Sequence, residues 1–242
     1  MCIRDRTNLA KGAVIGVGLA WLLERWVMNL FDQVSAADPE EFPQNTVENS
    51  SKLFSRWRIF AGMSIAAAAL CVWRQWSPEL LNDLILVTAL VGIAWIDRKT
   101  LLIEGRLVAL AMGLRLVWLS FFAPQEMLNS LTGLLIGAGI LYFIGFLYET
   151  FRHRQGLGEG DAAVLGLIGL WVGWQGVGAV LLIAALSGII IGGISLLRKR
   201  KVNQNIPDLL QTQIPFAPFL CLGGLIVFFL QETGFIMTGF GF

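Results

Sequence analysis

The chain is poor in charged residues for its length. Only 14% of its 242 residues are Asp, Glu, Lys or Arg, whereas soluble domains average about 25%. Hydrophobic residues make up 56% of the chain, and the mean hydropathy is +0.69. These values exclude an ordinary soluble domain and predict a membrane protein. The net charge of +1 gives no support for nucleic-acid binding.

Metal-binding and redox motifs are also absent from the sequence. The three cysteines, Cys2, Cys71 and Cys221, are far apart and form no Cys-x-x-Cys motif, which predicts buried or interfacial thiols rather than a disulfide framework or a zinc site. The single histidine, His153, lies in a basic turn and cannot form a metal site alone. No P-loop and no Ser/His/Asp arrangement is present, so we expect neither a metal nor a cofactor.

Long apolar segments dominate what remains. A spanning helix needs about 20 apolar residues to cross a ~30 Å hydrocarbon core, and eight segments are candidates. We therefore predict an all-α fold, a polytopic membrane helix bundle of about eight transmembrane helices. The predicted spans are Ala13–Phe31, Ile59–Trp76, Leu80–Ile96, Leu107–Phe122, Leu128–Tyr148, Ala162–Trp174, Val177–Leu197 and Ile214–Leu230.

Basic residues concentrate in alternate loops and set the predicted orientation. Arg98 and Lys99 follow the third span, Arg152 and Arg154 follow the fifth, and "RKRK" at 198–201 follows the seventh. The positive-inside rule assigns this side of the membrane to the cytoplasm. The C-terminal end of the third span and the N-terminal end of the sixth span lie on this same side.

The segments outside the predicted core have distinct compositions. The opening "MCIRDR" resembles translated sequencing-adapter sequence, so within 1–31 we expect a first span preceded by residues that are not native, with the native N-terminus missing. Residues 32–56 are acidic and contain Pro and Asn, which predicts a polar cytoplasmic loop. Residues 57–230 form the predicted membrane domain, and 231–242 form a short tail.

Glycines recur at four-residue spacing inside the predicted spans. The pairs are Gly133/Gly137, Gly169/Gly173 and Gly188/Gly192. Small residues at this spacing let helix backbones approach closely in lipid, so we predict that these glycines pack helices together. Arg115 interrupts the fourth span, where a buried arginine is costly, and either the bundle interior or the outer interface could accommodate it.

Two aspartates lie at matching depth on one membrane face. Asp97 ends the third span and Asp161 opens the sixth, after "GLGEG". Singly, Asp97 could pair with Arg98 or Lys99, and Asp161 could cap its helix. Together, two such carboxylates can share one proton and activate a water molecule. Gly158 and Gly160 lack side chains that would block an extended substrate segment.

Three blocks of the sequence carry a family resemblance. "GIAWIDRKTLLI", "GLGEGDAAVLGLIGLWVGWQGVGAVLLIAALSGIIIGGI" and "IPFAPFL" resemble, in this order, three blocks of the type IV prepilin peptidase family, which are membrane aspartic peptidases of the GxGD type. The resemblance extends over residues 55–230. It maps the catalytic aspartates of the family onto Asp97 and Asp161, and its flanking glycines onto Gly158 and Gly160.

The resemblance implies an activity and a location. It implies an endopeptidase without a cofactor, in the bacterial inner membrane with its active site facing the cytoplasm, that removes the leader of type IV prepilins or pseudopilins. Its expected partners are that substrate and membrane lipid, with no nucleic acid and no prediction for the oligomeric state. Acidic residues at Glu104 and Glu159 could bind a basic leader, although solvated loop charges are the simpler interpretation.

The sequence departs from the family pattern at several positions. Ala163 stands where members usually carry lysine, Ile103 and Glu104 replace a Leu-Pro or Ile-Pro pair, and Ala217 replaces a signature glycine. The chain also has no cysteine between Cys2 and Cys71, where bifunctional members carry paired Cys-x-x-Cys motifs, so N-methyltransferase activity is not expected. Two alternatives stay open: an inactive scaffold that binds pilin-like helices, and a small transporter that uses the aspartates to carry protons or cations.

Overall fold

The computed structural model describes residues 78–100, 103, 105–152, 158–202 and 216–233, with helical positions 14, 15, 17, 18, 21, 22 and 25. The loop 32–56, the predicted span Ile59–Trp76 and most of the first predicted span lie outside the described residues, so the count of eight spans stays a prediction. The chain forms two compact units, residues 1–88 and 89–242. Asp97 and Asp161 both belong to the second unit.

The described part of the chain is helical, as the sequence predicts. Four segments are long and apolar enough to cross a membrane, namely Glu79–Arg98, Gly105–Phe122, Pro124–Phe151 and Glu159–Ile191, while the last helix is shorter, with 16 residues. The helices are α1 (Pro78–Thr100), α2 (Gly105–Phe122), α3 (Met127–Arg152), α4 (Glu159–Val202) and α5 (Ala217–Glu232), with a 3₁₀ turn at Pro124–Glu126.

Helix α4 is too long to be one straight span. Its 44 residues would extend about 66 Å, twice the ~30 Å hydrocarbon core. The helix is broken at Gly173, which has φ +70° and ψ 173°. A side chain at this position would be strained by the backbone conformation, and its Cβ would lie 2.6 Å from the amide nitrogen of Asn129. Both facts explain why glycine occupies the break.

The two halves of α4 run in opposite directions along α5. Contacts of the N-terminal half move toward the end of α5, and contacts of the C-terminal half move back toward its start. The contacting pairs are Ile168 with Gly224 and Val172 with Gln231 in the first half, then Val180 with Gly223 and Gly188 with Phe219 in the second. The chain therefore reverses at Gly173, the next-to-last residue of the predicted sixth span and four residues before the predicted start of the seventh.

The N-terminal half of α4 forms the centre of this unit. Five of its apolar side chains are completely buried: Val164, Leu165, Leu167, Ile168 and Leu170. A helix that is buried on all sides must be surrounded by other elements. Asp161 is therefore attached to the most enclosed segment of the described structure.

Glycines bring α3 and α4 into backbone contact. A Cβ on Gly133 would collide with the carbonyl oxygen of Gly169, and a Cβ on Gly137 would lie 2.6 Å from the carbonyl oxygen of Leu165. For Gly133, Gly137 and Gly169 the predicted role in close helix packing is confirmed. A Cβ on Gly188 would instead meet Phe219 at an ordinary contact distance of 3.7 Å, and the surroundings of Gly192 lie outside the described residues. Away from this contact, α3 exposes large apolar side chains to the surroundings, as expected for lipid contact: Leu128, Leu135, Tyr142, Phe143 and Phe146.

Arg115 in α2 is accommodated in the interior. Only 4% of its surface is exposed, and its guanidinium carbon lies 5.1 Å from the ring centre of Trp118 and 5.2 Å from that of Trp171. One guanidinium nitrogen also lies 3.6 Å from a carboxylate oxygen of Glu126. Ring faces and a carboxylate both stabilise a cation. Of the two locations that the sequence left open for Arg115, the structure shows the bundle interior.

Candidate active site

The start of helix α5 provides a hydrogen-bond donor with no partner inside the helix. The first N–H groups of any helix lack intrahelical acceptors. Pro218 has no N–H, and the N–H groups of Phe219 and Leu220 donate to the carbonyl oxygen of Phe216. The N–H of Ala217 donates instead to the carboxylate of Asp97.

Asp97 therefore connects two helices: it is a residue of α1 and it accepts a hydrogen bond from α5. Its backbone belongs to the last turns of α1, and its carboxylate lies at the N-terminus of α5, where the helix dipole favours negative charge. The side chain is 4% exposed. Its neighbour Arg98 is exposed, and none of the described residues forms an ion pair with Asp97. The interpretation of Asp97 as a partner of Arg98 is thus not supported, and the side chain of Lys99 lies outside the described residues.

Asp161 lies in the first turn of α4. The helix begins at Glu159, and the N–H of Asp161 donates to the carbonyl oxygen of Gly158 at 3.0 Å. Asp161 is consequently the third residue of the helix, and Gly158 occupies the capping position. The alternative interpretation of Asp161 as the cap is wrong. Its carboxylate still lies at the positive end of a helix dipole.

The two aspartates, distant in the sequence, come together in the fold. The charge of Asp97 acts on Asp161, and both carboxylates act on the thiol of Cys221. The Oδ2 atom of Asp97 is buried, and no atom of the described residues hydrogen-bonds to it. Two neighbouring carboxylates with a free acceptor atom can share a proton and hold a water molecule between them.

Cys221 is a buried thiol close to both aspartates. It follows Ala217 by one turn of α5, is 2% exposed, and lies against the backbone of Ala94 in α1. The sequence predicts a buried thiol, and for Cys221 this is confirmed. Its position beside the aspartates was missed, because the only signal was its spacing of four residues from Ala217, on the same face of the helix.

The two glycines beside Asp161 have different surroundings. A Cβ on Gly160 would lie 2.7 Å from the Cβ of Ile103, in the connection between α1 and α2. Gly158 is exposed, and among the described residues a Cβ on it would meet only Oδ2 of Asp161, at 3.6 Å. The open side of the site is therefore at Gly158, and Ile103 covers the side of Gly160. Contact of either glycine with substrate stays a prediction.

The remaining predicted site residues are less enclosed. Glu159 is exposed at the first position of α4, and Glu104 lies outside the described residues. Ala163, in place of the lysine that the family resemblance implies, is half-buried. Within the described ranges, no group of three or more His, Cys, Asp and Glu side chains could hold a metal ion. The absence of a metal from the reaction stays a prediction.

A family model matches this part of the chain. Residues 84–193 match the model described as the type IV leader peptidase family. This range contains both Asp97 and Asp161, together with the helices α2 and α3 that connect them. No solved structure matches the chain.

Curated relatives carry one name in several bacteria. The prepilin leader peptidase/N-methyltransferase of Escherichia coli K12 is 30% identical over 165 residues, which cover 68% of this chain and 70% of that protein. The proteins with this name from Xanthomonas campestris and Legionella pneumophila are 27% and 30% identical over 69% and 64% of this chain. The chain spans 57% and 52% of the length of those two relatives.

Proposed function

The chain belongs to the type IV leader peptidase family, and we propose that it is a membrane aspartic endopeptidase that cleaves the leader from prepilin-like proteins. The observation that carries the proposal is the convergence of Asp97 and Asp161 at the N-termini of α5 and α4. The proposal covers the peptidase activity alone, because the sequence has no cysteine between Cys2 and Cys71.

The proposed reaction uses the aspartates as one acid–base unit. One carboxylate takes a proton from a water molecule, and the hydroxyl attacks the scissile carbonyl carbon. The other carboxylic acid gives its proton to the carbonyl oxygen, which forms a tetrahedral diol. The diol then collapses: one hydroxyl returns its proton to the ionised carboxylate, the C–N bond breaks, and the proton of the other carboxyl group passes to the leaving amine. Because the pair titrates as a unit, the two roles belong to the dyad.

The proposed substrate enters beside Gly158. A prepilin-like substrate has a basic leader followed by an apolar helix, and scission at their junction requires a dyad near the membrane surface. The first turn of α4 combines an open backbone at Gly158 with an exposed carboxylate at Glu159. We propose that Glu159, together with Glu104, attracts the basic leader, and that this face is cytoplasmic.

Leader cleavage tests the proposed function. The purified chain, reconstituted in lipid, is mixed with prepilin-like substrates from the same genome, and precursor and mature forms are separated on a gel. Asp97→Asn and Asp161→Asn should each lower kcat by roughly 10²–10⁴-fold, as expected for loss of a general acid–base group. Glu126→Gln, which removes an acid near Arg115 instead, serves as the matched control and should cleave like the wild type.

Three results would contradict the proposal. Cleavage by the Asn variants at the wild-type rate would exclude the dyad, and loss of cleavage in Glu126→Gln would show that the defect is not specific to these two acids. A folded wild-type chain that processes none of several substrates would favour the inactive scaffold.

A further inference from the structure

The contact between Ile103 and Gly160 connects the two segments that carry the aspartates. Ile103 follows Asp97 in the connection between α1 and α2, and Gly160 directly precedes Asp161 in α4. A Cβ on Gly160 would lie 2.7 Å from Cβ, 2.8 Å from Cδ1 and 3.1 Å from Cγ1 of Ile103. The isoleucine side chain therefore occupies the space that any other residue at position 160 would need.

Neither Ile103 nor Gly160 can move out of this contact without moving its backbone. The nearest atom of Ile103 is its Cβ, which cannot move without its backbone, and a β-branched side chain has few accessible χ1 rotamers. On the other side, Gly160 belongs to the first turn of α4, whose following residues form the buried centre of the unit. A displacement of Ile103 would consequently move either the connection after Asp97 or the turn that holds Asp161.

The dyad needs such a contact, because two carboxylates repel each other whenever both are ionised. The described donor to Asp97 is the N–H of Ala217, which belongs to α5 and does not join Asp97 to Asp161. Packing of Ile103 against Gly160 does join the two segments. Gly158, two residues earlier, is exposed, and of the part of the chain that the structure describes a Cβ there would meet only Asp161, at the distance of an ordinary contact.

We propose that Ile103 is a positioning residue for the peptidase reaction, and that position 160 must be glycine because it receives the Ile103 side chain. Ile103 holds Asp161 at its working distance from Asp97 and covers one side of the dyad, so that the substrate approaches from the side of Gly158. The inference rests on the proposed function, and it separates the two glycines of the Gly-x-Gly-Asp segment into different roles.

The test is a double-mutant cycle on leader cleavage. Gly160→Ala alone should lower kcat by about 10²-fold with little change in KM, because misplacement of a catalytic group by about 1 Å has an effect of this size. Ile103→Gly alone should lower kcat less. In the double variant, Ile103→Gly removes all of the colliding side-chain atoms, including Cβ, and kcat should return to within a few-fold of the Ile103→Gly value.

Gly158→Ala provides the matched control, since its Cβ would not touch Ile103. Any defect of Gly158→Ala should be the same with and without Ile103→Gly. The inference is overturned if Gly160→Ala is equally impaired in both backgrounds, or if its defect lies in KM, which would make Gly160 a substrate contact.

A second measurement is independent of activity. The folded yield and the unfolding temperature in detergent should fall in Gly160→Ala, and in the Ile103→Gly background Gly160→Ala should cause no further fall, because no side chain remains at position 103 to collide with it. An equal fall in both backgrounds would overturn the contact. If the wild type cleaves no leader, the proposed function fails while thermal unfolding still reports on the contact; if the wild type cleaves but rescue fails, only the positioning role is lost.

Discussion

The charged and polar groups around the two ends of the N-terminal half of α4 are arranged differently. At the aspartate end, which comprises Asp97, Ile103, Gly160, Asp161 and Ala217, two groups of the same charge are held together. At the glycine turn, which comprises Arg115, Glu126, Asn129, the segment 171–173 and Gln231, unlike groups are matched. Arg115 pairs with Glu126, and the amide of Gln231 donates to the carbonyl oxygen of Val172 at 2.9 Å.

The residues that stabilise the fold and the residues proposed to perform the reaction therefore lie at different ends of one helix. Matched groups at the glycine turn stabilise the reversal of α4, whereas neighbouring carboxylates oppose folding and must be held by packing. Natural sequences accept such local conflict mainly where function requires it. The comparison therefore predicts that substitutions at the aspartate end affect activity more than stability, and that the reverse holds at the glycine turn.

The largest expected effect is a divergence between activity and stability in Asp161→Asn. Cleavage should fall by roughly 10²–10⁴-fold, while the unfolding temperature in detergent should equal or exceed that of the wild type, because one of two like charges is removed. Asp161→Glu, which retains the charge, should lose activity without this gain. A lower unfolding temperature for Asp161→Asn would show that the aspartate end contributes to stability, contrary to the comparison.

The next effect is expected where Gly133 of α3 contacts the glycine turn at Gly173. In Gly133→Leu the new side chain would collide with the backbone of Gly169 and Gly173, so the free energy of unfolding should fall by about 3 kcal/mol. Thermal unfolding and the folded yield measure this loss. Gly139→Leu is the matched control, since Gly139 lies in the same helix with open space around it. Equal stability of the two variants would contradict the close packing of α3 and α4.

The smallest effect distinguishes the ring contacts of Arg115 from its carboxylate partner. Arg115→Lys keeps the charge but loses the planar contact with Trp118 and Trp171, which should lower the free energy of unfolding by about 1–2 kcal/mol. Glu126 is more than half exposed, so Glu126→Gln should change it by less than about 0.5 kcal/mol. If Glu126→Gln proves the more destabilising variant, the ion pair rather than the rings holds Arg115.

Hydrophobic segment length and charge placement predicted much of the described fold. The third to fifth predicted spans agree with α1, α2 and α3 to within a few residues, and the turn expected after the sixth span lies at Gly173. These features depend on local composition, which each segment carries by itself. The common membrane side expected for Asp97 and Asp161 also followed from the pattern of basic loops alone.

Contacts between distant segments were not predictable in this way. Nothing near Asp97 in the sequence indicates that its carboxylate accepts from the N–H of Ala217, or that Cys221 lies beside it. The interior placement of Arg115 depends on Trp171, a residue of another helix. Each of these contacts requires a particular rotation and height of one helix against another, which pairwise packing determines.

By itself, the sequence determined that this is a helical membrane protein with two carboxylates at span ends and glycines where helices meet, because hydrophobicity, charge and side-chain size act locally. Only the tertiary structure decided that α4 reverses at Gly173, that α5 directs its first N–H to Asp97, and that Ile103 fills the space beside Gly160. Those outcomes depend on which surfaces pack together in three dimensions, and packing is a property of pairs of segments rather than of any one of them.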